Sequence, residues 1–213
     1  MDFKPLITLL AVVNPLAIVP FFIHYTEGFS PDQRRGTALT SAFTAFMVIA
    51  ISALLGLQVL AFFGISLASF QVGGGMLLLT SALNMLNAKP AESKPSSNEL
   101  EAGAEKAAMG DSIAVVPLTI PLLTGPATMS TVVIYAERTR TAFDMAVLLG
   151  YGVVIAVVTA VSFALAEPIA RVLGRTGINV LTRLMGLILA ALAVEVMAEG
   201  LGNLFPILGR GAG

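Results

Sequence analysis

Charged side chains are scarce in this sequence. Its 213 residues include 12 Lys and Arg and 13 Asp and Glu, so 12% of the chain is charged while 56% is hydrophobic. Soluble domains carry about 25% charged residues, and a mean hydropathy of +0.89 leaves too little polar surface to cover a water-exposed domain. The net charge of −1 lacks the basic surplus of a nucleic-acid binder. These shortages indicate an integral membrane protein whose main partner is the lipid bilayer.

Cysteine is absent and histidine occurs once, as His24. The lack of cysteine excludes disulfides, thiolate metal sites and cysteine nucleophiles. A single histidine near a predicted membrane boundary is a poor basis for a His-rich metal site or a Ser-His-Asp triad. The sequence also lacks the GxxxxGK[ST] motif of ATP-hydrolysing proteins. We therefore expect no metal, no cofactor and no enzymatic activity.

The spacing of the charges predicts six membrane-spanning segments. Between Arg35 and Lys89 lie 53 uncharged residues, enough for two helices of about 20 residues each. These two spans are predicted at 37–62 and 66–87, and the other four lie at 5–26, 112–136, 145–166 and 178–200. The first five along the chain are free of charged side chains, whereas 178–200 carries Arg183, Glu195 and Glu199. The uncharged windows are continuously apolar rather than alternating, which predicts an all-α protein and not a β-barrel.

Residues 88–110 form the longest polar stretch, and their Pro, Ser, Glu, Lys and Ala content predicts a flexible linker. Eight Lys and Arg fall on the linker side of the predicted topology and four on the other side. The positive-inside rule then places the linker in the cytoplasm and both termini outside. The eight are Arg34, Arg35, Lys89, Lys94, Lys106, Arg171, Arg175 and Arg183; the four are Lys4, Arg138, Arg140 and Arg210.

The linker separates two halves, 1–87 and 111–213, that match weakly. Gly73 corresponds to Gly186, and residues 64–66 to 177–179, at an offset of 113; Asn14-Pro15 corresponds to Gly125-Pro126 at an offset of 111. A second register, which pairs residues 15–18 with 117–120, stays open. Because each half has an odd number of spans, two copies would lie upside down relative to each other. The sequence thus predicts two inverted three-span repeats, a plan common in secondary transporters.

Prolines are concentrated in the first and fourth segments. A proline inside a helix removes a backbone hydrogen bond and clashes with the preceding turn. In a membrane such breaks occur where the chain lines a cavity or packs on protein. We therefore predict that both segments are discontinuous or re-entrant at mid-membrane, with helix-breaking roles for Pro20, Pro117 and Pro121.

The two matching dipeptides predict the starts of half-helices inside these segments. Asn is favoured at the N-cap and Pro at the first helical position. A helix start presents free N–H groups and the positive end of the helix dipole, which suits a small anion or a zwitterion's carboxylate. Kinks satisfied by neighbouring helices, without a ligand, are the alternative. The predicted substrate-binding residues are Asn14, Pro15, Gln71, Gly74, Thr124, Gly125, Pro126 and Thr128.

Glu195 is the candidate for coupling transport to an ion. It lies in the last predicted span, about five residues from its end, where a carboxylate is costly unless it serves a function. Facing a cavity, it would take up a proton and couple transport to protons. The alternative is an interfacial Glu that reaches outward water.

Three motifs of the chain resemble the MarC family of prokaryotic inner-membrane proteins. They are Asn14-Pro15-Leu16-Ala17-Ile18-Val19-Pro20-Phe21-Phe22, Pro117-Leu118-Thr119-Ile120-Pro121-Leu122-Leu123-Thr124-Gly125-Pro126, and residues 185–191 of the last span. The resemblance implies a six-span transporter of the inner membrane, in a family with members linked to small neutral amino acids such as alanine and glycine. Many members have Asp where this chain has Asn14, and an Asn there cannot bind a proton.

The function expected from the sequence is secondary transport of a small neutral amino acid or similar zwitterion by alternating access, coupled to a proton or sodium ion. Alternatives are an exporter or flippase of a more apolar or lipid-linked metabolite, and a passive channel. A homo-oligomer is compatible with this composition, and the direction of transport stays open.

Overall fold

A computed structural model describes residues 3–26, 28–87 and 123–205, and all regular structure within these ranges is helical. The helices are α1 (Lys4–Val13), α2 (Pro15–Tyr25), α3 (Pro31–Phe62), α4 (Leu67–Asn87), α5 (Pro126–Glu137), α6 (Ala142–Ala164) and α7 (Ala166–Leu204). Helix α7 is interrupted at Gly174, whose φ of 57° and ψ of −177° are not helical. The predicted linker, Pro117, Pro121 and residues 206–213 lie outside the described residues.

In the part of the chain that the structure describes, four helical stretches are long and apolar enough to cross a membrane: Lys4–Tyr25, Pro31–Phe62, Ala142–Ala164 and Thr176–Leu204. They match the first, second, fifth and sixth predicted spans. The third predicted span is a helix at the expected place, α4, but Gln71, Asn84 and Asn87 lower its hydropathy, and it is not among the four. Of the fourth predicted span, the structure describes residues from 123 onward, mainly as α5. A multi-helix membrane protein is therefore confirmed, whereas the number six stays a prediction.

Two of the long helices begin at capping boxes. The Ser30 hydroxyl accepts the Gln33 N–H at 3.3 Å, and the Gln33 side chain accepts the Ser30 N–H at 2.9 Å. Thr141 and Asp144 repeat this exchange at the start of α6, at 3.1 and 2.9 Å. Each box satisfies two N–H groups that a helix start leaves without partners, which fixes where α3 and α6 begin.

Helices α1, α2 and α5 are enclosed by two helix pairs, α3 with α6 and α4 with α7. More than half of the first segment is buried, against a third or less of the other three apolar stretches. Helix α4 packs antiparallel to α7 through glycines. A Cβ at Gly75 would lie 3.1 Å from the Ala193 carbonyl oxygen, and one at Gly186 would lie 3.1 Å from that of Ala82. Close backbone approach at small residues is a common way for helices to pack in lipid.

The outer surface of the bundle is apolar. Large side chains such as Phe43, Met76, Val157 and Leu187 are more than half exposed along the middle of their helices. A soluble monomer rarely exposes so much contiguous apolar surface. The bundle therefore has the surface of a protein that lies in lipid.

Candidate functional site

Asn14 lies between α1 and α2 in the left-handed region, with φ 40° and ψ 67°. Its N–H donates to the Leu10 carbonyl at 2.9 Å and ends α1, while its carbonyl accepts the Ala17 N–H at 3.1 Å at the start of α2. The predicted helix start at Asn14-Pro15 is present, with Asn14 as the N-cap of α2, but the Asn14 side chain makes no capping hydrogen bond. Asn is one of the few residues that tolerate the left-handed conformation, so it can end one helix and begin the next.

Pro20, predicted as a helix breaker, lies inside α2, which continues on both sides of it. A proline at this position removes one donor to the carbonyl four residues earlier without ending the helix. The interruption of the first segment is therefore at Asn14 and not at Pro20.

The second predicted start, Gly125-Pro126, begins helix α5. Gly125 is its N-cap in an extended conformation, with φ −72° and ψ −178°. Its carbonyl accepts the Thr128 N–H at 3.0 Å, and the Thr128 hydroxyl donates to the Leu123 carbonyl at 3.3 Å. Thr124 is completely buried beside this turn. Pro126 thus occupies the first helical position, as its fixed φ favours.

The two helix starts approach each other inside the bundle. Val12, two residues before Asn14, and Ala127, two residues after Gly125, belong to one buried cluster. The same cluster includes Leu78 from the middle of α4 and Leu189 and Ala193 from α7. The starts of α2 and α5 are therefore brought together at mid-depth, where α4 crosses α7.

From this meeting point α2 and α5 run to opposite ends of the bundle. Arg138, which follows α5, forms an ion pair with Glu199, and Lys4 forms one with Glu195. We call this the Lys4 end. At the other end, called the Arg34 end, Arg34 pairs with Glu167 and donates from Nε to the carbonyl of Thr26, the residue after α2, at 3.3 Å. The N-termini of both helices thus point inward, and their positive dipole ends meet.

Among the described residues, two buried side-chain polar atoms lack a hydrogen-bond partner: Nδ2 of Asn14 and Oε1 of Gln71. Both side chains are about 2–3% exposed, and an unsatisfied buried polar group is costly enough to call for an explanation. Asn14 lies at the helix starts. Gln71 instead lies on α4 two turns before Leu78, about 10 Å along the axis, and its Cβ faces Gly200. The structure thus separates Gln71 from the central meeting point.

Gly74, one turn after Gln71, packs directly on α5. A Cβ at Gly74 would lie 3.0 Å from the Ser130 Cβ. Helix α4 is continuous through its three glycines. Gly74 and Gly75 pack closely on neighbouring helices, whereas a Cβ at Gly73 would meet nothing within 4 Å.

Glu195 lies at the Lys4 end, outside the central cluster. Its side chain is 57% exposed and forms an ion pair with Lys4, whose side chain is 38% exposed. Among the sequence alternatives, this geometry favours the interfacial Glu over an acid buried in a central cavity.

Each end of the bundle has a cavity. The one at the Lys4 end has a volume of about 370 Å³ and lies between α1, α5 and α6, with Tyr135, Thr139 and Tyr151 in its wall. The one at the Arg34 end has a volume of about 600 Å³ and reaches Phe22 and Phe163. Those two rings stack with centroids 4.4 Å apart. Asn14 lines neither cavity.

A packed apolar barrier separates the cavities. Tyr151 and Phe163, both on α6, mark the two cavities and lie about 18 Å apart along a helix. Between them lies one buried cluster that includes Leu9, Val13, Ile18 and Ile155. Within the described residues, this apolar cluster closes the path between the two cavities.

Sequence reasoning missed the Phe22–Phe163 stack, Tyr135 and the Arg34–Glu167 pair. Tyr135 is 8% exposed and its hydroxyl lies 2.8 Å from that of Thr8. Each of these contacts joins residues more than 120 positions apart. No local pattern marks such residues, and an aromatic residue in an apolar segment is as compatible with a lipid-facing as with a buried position.

Comparison with known proteins agrees with the helical, apolar structure. Residues 2–205 match the MarC family of integral membrane proteins. The UPF0056 membrane protein YhcE of Escherichia coli is 38% identical over 96% of this chain and 93% of its own length. YvbG of Bacillus subtilis is 37% identical (95% and 94%), and a UPF0056 membrane protein of Aquifex aeolicus is 36% identical (94% and 92%). No solved structure matches the chain. The chain belongs to the MarC family of integral membrane proteins.

Proposed function

We propose that the protein is a secondary transporter that moves a small neutral amino acid, or a similar small zwitterion, by alternating access. The observation that carries the proposal is the meeting of two inward-pointing helix starts at Asn14 and Gly125. Interrupted helices whose N-termini converge at the bilayer midplane are the common binding-site plan of secondary transporters.

The chemistry of this meeting point suits a carboxylate. The first N–H groups of a helix have no partner within it, and the helix dipole makes that end positive. Nδ2 of Asn14 adds a buried donor without a partner. A bound carboxylate would satisfy this donor and both helix ends, which accounts for a polar atom that is otherwise costly to bury.

Contacts at a constant offset support an inverted repeat. Offsets of 111 residues relate Asn14 to Gly125 at the helix starts and Ser30 to Thr141 at the capping boxes. The same offset relates the Gly75–Ala193 contact to the Gly186–Ala82 contact, each at 3.1 Å. Reciprocal contacts of this kind are the mark of a two-fold axis.

This packing supports Gly75, and not Gly73 as the sequence comparison suggested, as the counterpart of Gly186. A Cβ at Gly73 would meet nothing within 4 Å, whereas Gly75 faces α7 as Gly186 faces α4. These contacts favour an offset of 111 over one of 113 for the proposed repeat.

Cavities at both ends support alternating access over a passive channel. A channel needs a continuous path, whereas here a buried apolar cluster separates a cavity of about 370 Å³ from one of about 600 Å³. If the two halves are related, each can adopt the conformation of the other. This exchange would open one end of the bundle while it closes the other.

We place the protein in the prokaryotic cytoplasmic membrane, with the Arg34 end inside. Helical spans suit this membrane, because bacterial outer-membrane proteins are typically β-barrels, and the excess of Lys and Arg on the Arg34 side supports the orientation. Coupling to a proton or sodium ion at Glu195 would act at the Lys4 entrance, since Glu195 pairs there with Lys4.

Transport into proteoliposomes tests the proposal, with labelled glycine or alanine and an imposed proton or sodium gradient. Asn14→Leu should abolish transport, because Leu removes the amide and strains the left-handed backbone. Asn14→Gly keeps that backbone accessible and removes only the amide, and we expect about a tenfold loss, the equivalent of one hydrogen bond of about 1.4 kcal/mol.

Asn84→Ala is the matched control. Asn84 is an exposed amide near the end of α4, so its removal should leave transport unchanged. Transport by Asn14→Gly at the wild-type rate would exclude Asn14 from the site. A wild-type protein that moves no small zwitterion under either gradient would overturn the proposed function.

A further inference from the structure

We propose that the cavity at the Arg34 end is an entry site for the zwitterion. The substrate inserts between Arg34 and Glu167, and its two charged groups replace their ion pair. The substrate carboxylate binds the guanidinium of Arg34, and its ammonium group binds the carboxylate of Glu167. This inference rests on the proposed transport function and adds a second, peripheral site to it.

The two charged groups face the same space. Arg34, in the first turns of α3, and Glu167, at the start of α7, both line the cavity of about 600 Å³. Their side chains are 30% and 57% exposed, so a solute from the water at this end reaches them. The cavity is larger than glycine or alanine and can admit either with some of its water.

Arg34 is held in place for this task. Its Nε donates to the Thr26 carbonyl at 3.3 Å while Nη1 contacts Glu167. The Thr26 hydroxyl in turn donates to the Phe22 carbonyl at 2.7 Å, which fixes the end of α2. The guanidinium group is therefore oriented before substrate arrives, and its planar fork suits two parallel bonds to a carboxylate.

A zwitterion is the chemical class that this pair selects. An anion alone would take Arg34 from Glu167 and leave Glu167 with only Arg35 as a basic residue in the cavity wall, and a cation alone would take Glu167 from Arg34. An α-amino acid carries both charges on groups attached to the same carbon, so each group of the pair keeps an opposite charge. Because a partly exposed ion pair is weak, exchanging it for the substrate meets little resistance.

Insertion of the substrate also affects the opening of the cavity at the Arg34 end. The Arg34–Glu167 pair links the start of α3 to the start of α7 across the cavity. A substrate inserted between the two groups lengthens that link. The cavity wall behind them includes the stacked rings of Phe22 and Phe163. These rings offer an apolar surface to a small apolar side chain of the substrate, and they lie between the ion pair and the central barrier.

The natural absence of cysteine makes a direct test simple. Ile23 lines the same cavity, and Ile23→Cys gives one thiol whose rate of maleimide labelling is measured in purified protein. Glycine and L-alanine should slow the labelling several-fold in a saturable manner. Acetate and methylammonium at the same concentrations should each have little effect.

Arg34→Gln and Glu167→Gln, each in the Ile23→Cys protein, should lose the protection by glycine. The double exchange Arg34→Glu with Glu167→Arg keeps both charges and should restore protection, with glycine bound in the reverse orientation. Arg171→Gln is the matched control, because Arg171 is exposed one turn beyond Glu167 and does not line the cavity; it should keep full protection.

Undiminished protection in Arg34→Gln would overturn the entry site, and so would acetate protecting as well as glycine. If transport occurs and depends on Asn14 while neither amino acid protects Ile23→Cys, the entry site fails and the transport function stands. If protection depends on Arg34 but no zwitterion is transported, the site stands and the transport function fails.

Discussion

Gly75 and Gly73 are two residues apart on α4 and have opposite surroundings. A Cβ at Gly75 would lie 2.4 Å from Cγ of Met197 and 3.1 Å from the Ala193 carbonyl oxygen, whereas one at Gly73 would meet nothing within 4 Å. The methionine side chain can move aside, but the carbonyl belongs to the backbone of α7. A methyl group at Gly75 therefore has to push the two helices apart.

We predict that Gly75→Ala lowers the free energy of unfolding by about 1–3 kcal/mol, the usual cost of overpacking. Gly73→Ala is the control and should be neutral or raise it by up to about 1 kcal/mol through better helix propensity. The thermal unfolding midpoint in detergent measures both. Equal midpoints for the two variants would contradict the packing of α4 on α7.

Asn14 shows what a local sequence pattern predicts and what it misses. Asn followed by Pro correctly indicates a helix start, since Pro15 begins α2. The pattern does not reveal that Asn14 also ends α1 in a left-handed conformation and has a buried amide nitrogen without a partner. Those features depend on how α1 and α5 pack around it, and spacing along the chain does not encode that packing.

At the scale of single helices, α3 and α6 each begin at a capping box. Ser30 and Thr141 each accept a backbone N–H three residues on. We predict that Ser30→Ala and Thr141→Ala each cost about 1 kcal/mol of stability, the usual effect of losing an N-cap.

Thr37→Ala is the control within α3, because the Thr37 hydroxyl only bonds the Gln33 carbonyl of its own helix and is exposed. Its unfolding midpoint should stay at the wild-type value. If Ser30→Ala and Thr37→Ala had the same midpoint, the cap would contribute nothing to the stability of α3.

Helix positions are largely predictable from the spacing of charges, whereas helix boundaries are not. Uncharged windows locate α3, α4 and α6, because lipid excludes charge from a helix centre. The apolar part of α7 is located by its hydropathy instead, since it carries Arg183, Glu195 and Glu199. Helix α3 begins six residues before its predicted start, at Pro31. Arg34 and Arg35 are tolerated there because long basic side chains at helix ends reach the interface.

At the scale of the whole molecule, the ion pairs show which helix ends lie at the same end of the bundle. Lys4 and Arg138 meet Glu195 and Glu199 at one end, and Arg34 meets Glu167 at the other. The Lys and Arg distribution along the sequence assigns Lys4 and Arg138 to one side and Arg34 to the opposite side, in agreement with these pairs. Which acidic residue pairs with each basic residue depends on the tertiary fold, because the partners lie 61 to 191 positions apart in the sequence.

The positive-inside rule predicts the orientation of the bundle from the same charges, and this orientation can be measured on a cysteine-free background. Thr139 lines the cavity at the Lys4 end and Phe29 the one at the Arg34 end. With the Arg34 end in the cytoplasm, a membrane-impermeant maleimide added to intact cells should label Thr139→Cys and not Phe29→Cys. Lysis should expose both, and wild-type protein gives the background. The reverse pattern would invert the orientation, and labelling of both in intact cells would contradict cavities on opposite sides of the membrane.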